Sequence, residues 1–352
     1  MSFRLVRTAV VAAAILPAIA NGQQPERFTL EGRTAAVYNL VGRMKVERGS
    51  GDRIVVEVTR VGADAGRLTI ATGDVRGRST LRVRYPDDVI LYRDDNYHGR
   101  STFSISDDGT FGDHDRGWGG DRRRVEVRGS GSGLDAHADV RVLVPNGLTL
   151  FVRTGVGETT VDNVDGTLDV SSATGRVSVS HVRGTLSIDN GSGGTELTDV
   201  TGDVTLDSGS GGSTLDGLRG GTLHMDVGSG SLRGRAIEMR EIVADVGSGG
   251  VRLAGVKTQT LHLETGSGGS DVELLTPVDD VQIEAGSGGV TLRLPASLGA
   301  TVDIETGSGG IDTDFEVKVS RMERRALRGT VGDGRGRIKI ESGSGNVRLL
   351  KT

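Results

Sequence analysis

Apolar and polar residues alternate in short segments along most of the chain, and glycines separate the segments. In one such segment, residues 177–188, the apolar side chains are Val177, Val179, Val182, Leu186 and Ile188. Alternation with a period of two, in short runs bounded by glycine, is typical of half-buried β-strands and not of helices. The change of parity between Val179 and Val182 indicates a corner, so each segment predicts two short strands joined by bends.

The tripeptide Gly-Ser-Gly recurs at a nearly constant spacing. Within residues 151–352, full copies begin at residues 191, 209, 228, 247, 266, 286, 307 and 343, and degenerate copies occupy 155–157 and 173–175; further full copies, such as those at 49–51 and 129–131, lie in the N-terminal region. Successive copies are 18–21 residues apart, except for a final step of 36 residues that predicts one degenerate or replaced repeat. A unit this small cannot bury an inner face alone, whereas a stack of such units can. The sequence therefore predicts an all-β fold, a single-stranded, β-helix-like β-solenoid of 18–21-residue repeats.

The repeats divide the chain into regions. Residues 151–352 are predicted to form the solenoid, and residues 21–150 a less regular N-terminal β region. We interpret the latter as early, irregular rungs of the same body, with a separate N-terminal β-sandwich as the alternative. Two segments interrupt the pattern: a polar insertion at 93–124 and a break at 311–335. Because an exposed solenoid end is a row of unpaired strand groups, we expect the break to cover the C-terminal end.

The first 20 residues have the features of a signal peptide. Arg4 and Arg7 precede an apolar run over 8–19, and Ala18 and Ala20 provide a small-x-small cleavage pattern. The run is shorter than the ~20 residues of a membrane-spanning helix, although an N-terminal anchor helix is the alternative. We expect cleavage after Ala20, a mature chain without a membrane span, and a secreted, periplasmic or cell-surface location.

The amino-acid composition excludes several kinds of functional site. The 352 residues include 57 Gly and no Cys, aromatic residues make up 3%, and the formal net charge is −5. Without cysteine the chain has no disulfide, thiolate zinc site or cysteine nucleophile. The negative charge argues against a nucleic-acid partner. The sequence contains neither a Gly-x-Ser-x-Gly nucleophile motif nor a phosphate-binding loop, so we predict no catalytic residues.

Carboxylates are the most regular chemical feature of the repeats. One acidic residue stands two positions before each full Gly-Ser-Gly copy within residues 151–352, and the set is Asp189, Asp207, Asp226, Asp245, Glu264, Glu284, Glu305 and Glu341. Stacking would place them in one outward column at ~4.8 Å spacing. Hydrogen bonds from backbone N–H groups, or solvation, would explain the column. The alternative is a cation ladder, with Ca²⁺ as the candidate cofactor and Asp207, Asp226, Asp245, Glu264, Glu284 and Glu305 as its ligands.

Aromatic residues are concentrated in and just before the 93–124 insertion. Rings beside charges of both signs can be recognition anchors. The candidate ligand-binding residues are Tyr92, Tyr97, His98, Phe103, Phe111 and Trp118. The alternative is that these rings pin the insertion onto the solenoid.

Several motifs resemble those of the bacterial putative-adhesin family of exported β-solenoid proteins. They are the signal peptide, the stretch 133–139 leading into 142–145, and the acidic-x-Gly-Ser-Gly repeats. The resemblance implies a non-enzymatic adhesin-like or envelope scaffold protein whose partner is a cell-surface or envelope component, with a glycan as a candidate. Two alternatives are an extracellular protein that binds or cleaves polysaccharide with the 93–124 insertion, and an envelope stress or signalling accessory.

Overall fold

A computed structural model describes residues 24–95, 97–112 and 122–352, so the predicted signal peptide and Trp118 lie outside the described residues. The described residues form β-strands, one 3-10 helix (Ala65–Arg67) and connecting turns. The strands are β1 (Glu26–Leu30), β2 (Thr34–Val41), β3 (Met44–Arg48), β4 (Ile54–Val61), β5 (Thr69–Val75), β6 (Arg78–Arg84), β7 (Val89–Leu91), β8 (Arg100–Ser106), β9 (Arg122–Arg128), β10 (Leu134–Asp135), β11 (His137–Val144), β12 (Leu148–Val156), β13 (Thr159–Asp162), β14 (Asp165–Thr174), β15 (Val177–Ser192), β16 (Thr195–Ser208), β17 (Ser213–Asp216), β18 (Arg219–Val227), β19 (Leu232–Arg235), β20 (Glu238–Val246), β21 (Val251–Val256), β22 (Thr260–Thr265), β23 (Ser270–Leu274), β24 (Asp280–Ala285), β25 (Val290–Leu294), β26 (Ala300–Thr306), β27 (Ile311–Thr313), β28 (Val317–Glu323), β29 (Ala326–Val331), β30 (Gly336–Ser342) and β31 (Val347–Lys351).

Two stacks of mostly parallel strands enclose the core, and the fold is the predicted all-β, solenoid-like one. The stack we call sheet A contains β2, β12, β14, the second halves of β15 and β16, β18, β20, β22, β24, β30, β26, β29 and β28. The stack we call sheet B contains β4, β11, β3, β13, the first halves of β15 and β16, β17, β19, β21, β23, β25, β31 and β27. One strand from each sheet makes a rung, and the apolar side chains between the sheets form one core.

The register of paired strands reproduces the repeat. Leu168 lies opposite Leu186, 18 residues along, Met225 lies opposite Ala244, 19 along, and Leu263 lies opposite Ile283, 20 along. The Gly-Ser-Gly corners stack through the backbone: the N–H of Ser229 donates to the carbonyl of Gly209 at 2.9 Å. In the rungs between residues 163 and 255 the opposite corner uses one residue in the left-handed region, such as Asn163, with φ of 56°.

The N-terminal region contributes both rungs and a separate sheet. Strand β2 pairs in parallel with β12, and β3 with β13, so residues 34–48 continue the solenoid. Strands β7, β8, β9 and β10 form a four-stranded sheet of their own. The described part of the 93–124 insertion therefore includes strand β8 and the start of β9, flanked by turns and connecting residues.

At the C-terminal end, the order in which the rungs stack differs from their order in the sequence. Ile338 of β30 lies opposite Val281 of β24 on one side and Val302 of β26 on the other. The C-terminal rung, β30 and β31, therefore lies between two rungs that precede it in sequence. Of the two predicted explanations of the 36-residue step, the structure shows a replaced repeat: residues 317–331 form the hairpin β28–β29, which pairs antiparallel with β26 beyond that rung.

Candidate ligand-binding cleft

The aromatic residues of the insertion mainly attach the four-stranded sheet to the solenoid. Phe111 packs edge-on against Tyr38 of β2, with ring centroids 5.8 Å apart, and Phe103 packs against Phe111 at 6.4 Å. Tyr92 is 3% exposed and Tyr97 is 8% exposed. These contacts attach the insertion to the solenoid, and ligand binding by the rings stays a prediction. His98 is exposed on the surface.

Two of the predicted residues line a cleft where the insertion meets the Gly-x-Gly corners. Tyr92 and Tyr97 form one wall of this cleft, whose volume is about 650 Å³. Its full lining is Arg43, Tyr92, Asp94, Tyr97, Val156, Gly157, Glu158, Thr174, Gly175, Arg176, Ser178, Ser192, Gly193 and Gly194. This volume lies within the range of ~300–1,000 Å³ that small-molecule sites occupy.

Hydrogen bonds fix the wall that the insertion contributes. The Tyr97 hydroxyl donates to the Val127 carbonyl at 3.0 Å. The hydroxyl oxygens of Ser101 in the insertion and Thr174 in the solenoid are 3.4 Å apart and share a hydrogen bond. The Tyr92 hydroxyl donates to Asp94 at 3.3 Å. Because these bonds join the insertion to β9 and to the corner, the cleft is a preformed feature of the fold.

The cleft carries charges of both signs. A guanidinium nitrogen of Arg43 lies 3.5 Å from a carboxylate oxygen of Asp94. Arg176 and Glu158 are exposed, and neither side chain forms an ion pair with another described residue. Burial raises the pKa of Tyr92, and the nearby Asp94 carboxylate raises it further, so this hydroxyl remains a hydrogen-bond donor. The cleft can therefore both donate to and accept from a polar ligand.

Sequence reasoning missed most of this site. Arg43 follows β2, far from Arg176 in sequence, and the pairing of β2 with β12 brings them to one cleft. A signal was nevertheless present: the two degenerate corner copies, 155–157 and 173–175, are the corners against which the insertion packs. Val156 and Thr174 stand there in place of the central serine and line the cleft.

The predicted acidic column forms in full on the outer side of sheet A. In stacking order it runs Asp189, Asp207, Asp226, Asp245, Glu264, Glu284, Glu341 and Glu305. Glu305 pairs with Arg328 at 2.7 Å, and Glu341 with Lys339 at 2.7 Å. In the part of the chain that the structure describes, no group of three or more His, Asp or Glu side chains is arranged to hold a metal ion. The carboxylates form a line and do not converge on one point.

One histidine, His137, packs against the Tyr92 wall of the cleft and has a shifted pKa. His137 packs edge-on against Tyr92, with ring centroids 5.1 Å apart. Burial is the main cause that lowers the pKa of His137, with the Arg43 cation acting in the same direction. The carboxylates of Asp139, Asp135 and Asp94 oppose the shift.

We expect acidification to destabilise the protein through His137. An unfolded chain binds the proton near pH 6.5, above the lowered pKa of the folded state. The stabilisation is therefore present above about pH 6.5 and is lost as the pH falls through the folded pKa. The free energy of unfolding of the wild-type protein should fall between about pH 7.5 and about pH 5.5. In His137→Gln this fall should be smaller by about 1 kcal/mol or less. His98→Gln, at an exposed site, is the control, and equal acid sensitivity of all three proteins would contradict this assignment.

Comparison with known proteins identifies one related family. A family model described as Toastrack DUF4097 matches residues 185–350, just under half of the chain. Among curated proteins, none matches. A solved structure described as a putative cell adhesion protein from Clostridium sporogenes ATCC 15579 is 10% identical, with 94% of this chain and 100% of that chain covered. Its TM-score of 0.20 is too low for the likeness to bear on fold or function.

The Toastrack match covers the regular rungs from β15 onward and agrees with the solenoid-like fold. The resemblance to the putative-adhesin family stays a prediction. The described part of the chain contains no helix with the length and hydropathy of a membrane span.

Proposed function

We propose that this chain is an exported, non-enzymatic scaffold of adhesin-like type that binds an envelope or cell-surface component. The solenoid provides a rigid body, and recognition takes place in the cleft between the insertion and the corners at 155–157 and 173–175. The observation that carries this proposal is the cleft itself, which is preformed, about 650 Å³ in volume and lined by both donors and acceptors.

The lining favours a saccharide as the ligand class. The hydroxyl-bearing residues Thr174, Ser178 and Ser192 line the cleft together with Arg176 and Glu158. Sugar hydroxyls both donate and accept hydrogen bonds, so they match a lining of this mixed kind. Two positive and two negative side chains line the cleft, which favours a neutral or zwitterionic sugar over a polyanion.

A binding screen against purified envelope polysaccharides and glycans tests this proposal. We expect the wild-type protein to bind at least one saccharide, and Arg43→Gln combined with Arg176→Gln to weaken that binding by about tenfold or more, since bonds from charged groups contribute ~1.5–3 kcal/mol each. Arg252→Gln is the matched control, because Arg252 is an exposed arginine on the outer side of sheet B. Saccharide binding that the double variant leaves unchanged would contradict the assignment to this cleft.

The same screen distinguishes binding from cleavage. The cleft holds two carboxylates, Asp94 and Glu158, and paired carboxylates are what glycoside hydrolysis requires. Release of reducing ends from a bound polysaccharide, lost in Glu158→Gln, would replace the scaffold proposal with the polysaccharide-cleaving alternative. We expect binding without such release.

A further inference from the structure

Sheet A extends further than sheet B at the C-terminal end. The last rung contains β26 in sheet A and β27 in sheet B, and β29 and β28 then continue sheet A alone. Strand β27 pairs with β31 on one side, and its other edge has no partner strand among the described residues. The inner side of the hairpin β28–β29 thus projects beyond the sheet that would face it.

The projecting inner side is apolar. In β29, Val331, Gly329 and Leu327 lie opposite the core-facing residues of β26. In β28, Val317, Val319 and Met322 lie opposite those three residues in turn, and therefore on the same side of the sheet. Val319 is 48% exposed and Met322 is 76% exposed. Across the described ranges the third exposed large hydrophobic side chain is Leu275, so this hairpin carries two of the three.

Acidic and basic side chains lie on separate elements at this end, and within the described ranges the only hydrogen bond to their carboxylates is one from the Lys351 N–H to Asp314 at 3.3 Å. Three exposed acidic residues lie on and after β27, namely Asp312, Asp314 and Glu316. Three exposed basic residues lie on the hairpin, namely Lys318, Arg324 and Arg325. Within the described ranges no ion pair joins any of these six side chains to another residue. A partner that brought a second hairpin against β27 would pair the two sets.

We propose that this end binds a second copy of the same chain in a two-fold, end-to-end dimer. In such an arrangement the same surface is used by both copies. The hairpin of each copy occupies the place that a further strand of sheet B would take in the other. The apolar sides of the two hairpins face each other, the edge of β28 meets the edge of β27, and unpaired strand edges are removed at the join.

Sedimentation of the full chain at increasing concentration tests the dimer. The interface involves only three short strands from each copy, so we expect a weak, concentration-dependent dimer over the range from about 1 µM to about 500 µM. Val319→Ser combined with Met322→Ser should raise the dissociation constant by about tenfold or more, because the apolar contact is lost. Both side chains are exposed in the single chain, so its thermal stability should change little.

Two controls make the result decisive. Leu275→Ser removes the third exposed hydrophobic side chain, which lies elsewhere, and should leave the dissociation constant unchanged. Because the chain has no cysteine, Met322→Cys should form a disulfide-linked dimer on mild oxidation, whereas Leu275→Cys should not. A wild-type protein that stays monomeric at about 500 µM, or equal effects of the hairpin and Leu275 variants, would overturn the proposal.

Discussion

Replacing Gly249 with alanine should lower the free energy of unfolding by about 3 kcal/mol or more, because the added methyl group would clash with backbone atoms that cannot move aside. Gly249 is the last residue of the corner at 247–249, where the rungs stack backbone on backbone. A Cβ atom at this position would lie 1.7 Å from the carbonyl oxygen of Gly230 in the rung below. The rungs would have to separate locally, which breaks the corner hydrogen bonds, such as that from the Ser248 N–H to the Gly228 carbonyl at 3.0 Å.

The neighbouring glycine supplies the control. A Cβ atom on Gly250 would meet nothing nearer than the Gly269 carbonyl oxygen at 3.6 Å, an ordinary contact. Gly250→Ala should therefore change stability by less than about 1 kcal/mol. Chemical denaturation of the two variants measures the difference. Similar stabilities would mean that the corners are not stacked as closely as the structure shows.

Engineered cysteines should reveal the order of the C-terminal rungs as an all-or-none result. Gln282 of β24 lies directly opposite Lys339 of β30 on the outer side of sheet A. Adjacent strands are ~4.8 Å apart, which is within the Cα–Cα range of a disulfide. Gln282→Cys combined with Lys339→Cys should cross-link almost completely on oxidation of the folded protein.

A second pair tests the order that the sequence alone would suggest. Asp303 of β26 lies opposite Lys339 on its other side, so Gln282 and Asp303 are two rungs apart. Their separation of ~9.6 Å is too great for a disulfide. Gln282→Cys combined with Asp303→Cys should stay reduced. If this pair cross-linked and the first did not, the rungs would stack in chain order.

The difference between predicted and observed rung order has a simple physical cause. Alternation and glycine spacing report which side of a strand faces the core, and they specify the repeat, the corners and the acidic column. They do not specify which strand is the neighbour. Ile338 and Ile340 of β30 follow the same in-and-out pattern as Val302 and Ile304 of β26, so either strand could lie beside β24. The hairpin β28–β29 determines which strand lies beside β24. Because β29 pairs with one edge of β26 and β30 with the other, β26 has no edge left for β24.

The cleft was only partly predictable for a related reason. The clustered aromatic residues indicate that the insertion takes part in ligand binding, and two of them, Tyr92 and Tyr97, line the cleft. Their burial could not be foreseen, because it depends on partners distant in the sequence: His137 packs against Tyr92, and the Val127 carbonyl accepts from Tyr97. Arg43 and Arg176 are ordinary surface arginines in the sequence and acquire a shared environment only through the stacking of β2 on β12.

Amide hydrogen exchange of the protein, with and without a saccharide found in the binding screen, measures where recognition takes place. We expect the bound saccharide to slow exchange in residues 92–95 and 97, at the corners 156–158 and 174–176, and at 192–194. The outer side of sheet A around Asp226 and Asp245 should be unchanged. Protection along that acidic column, with none at the insertion and the corners, would contradict the claim that recognition takes place in the cleft.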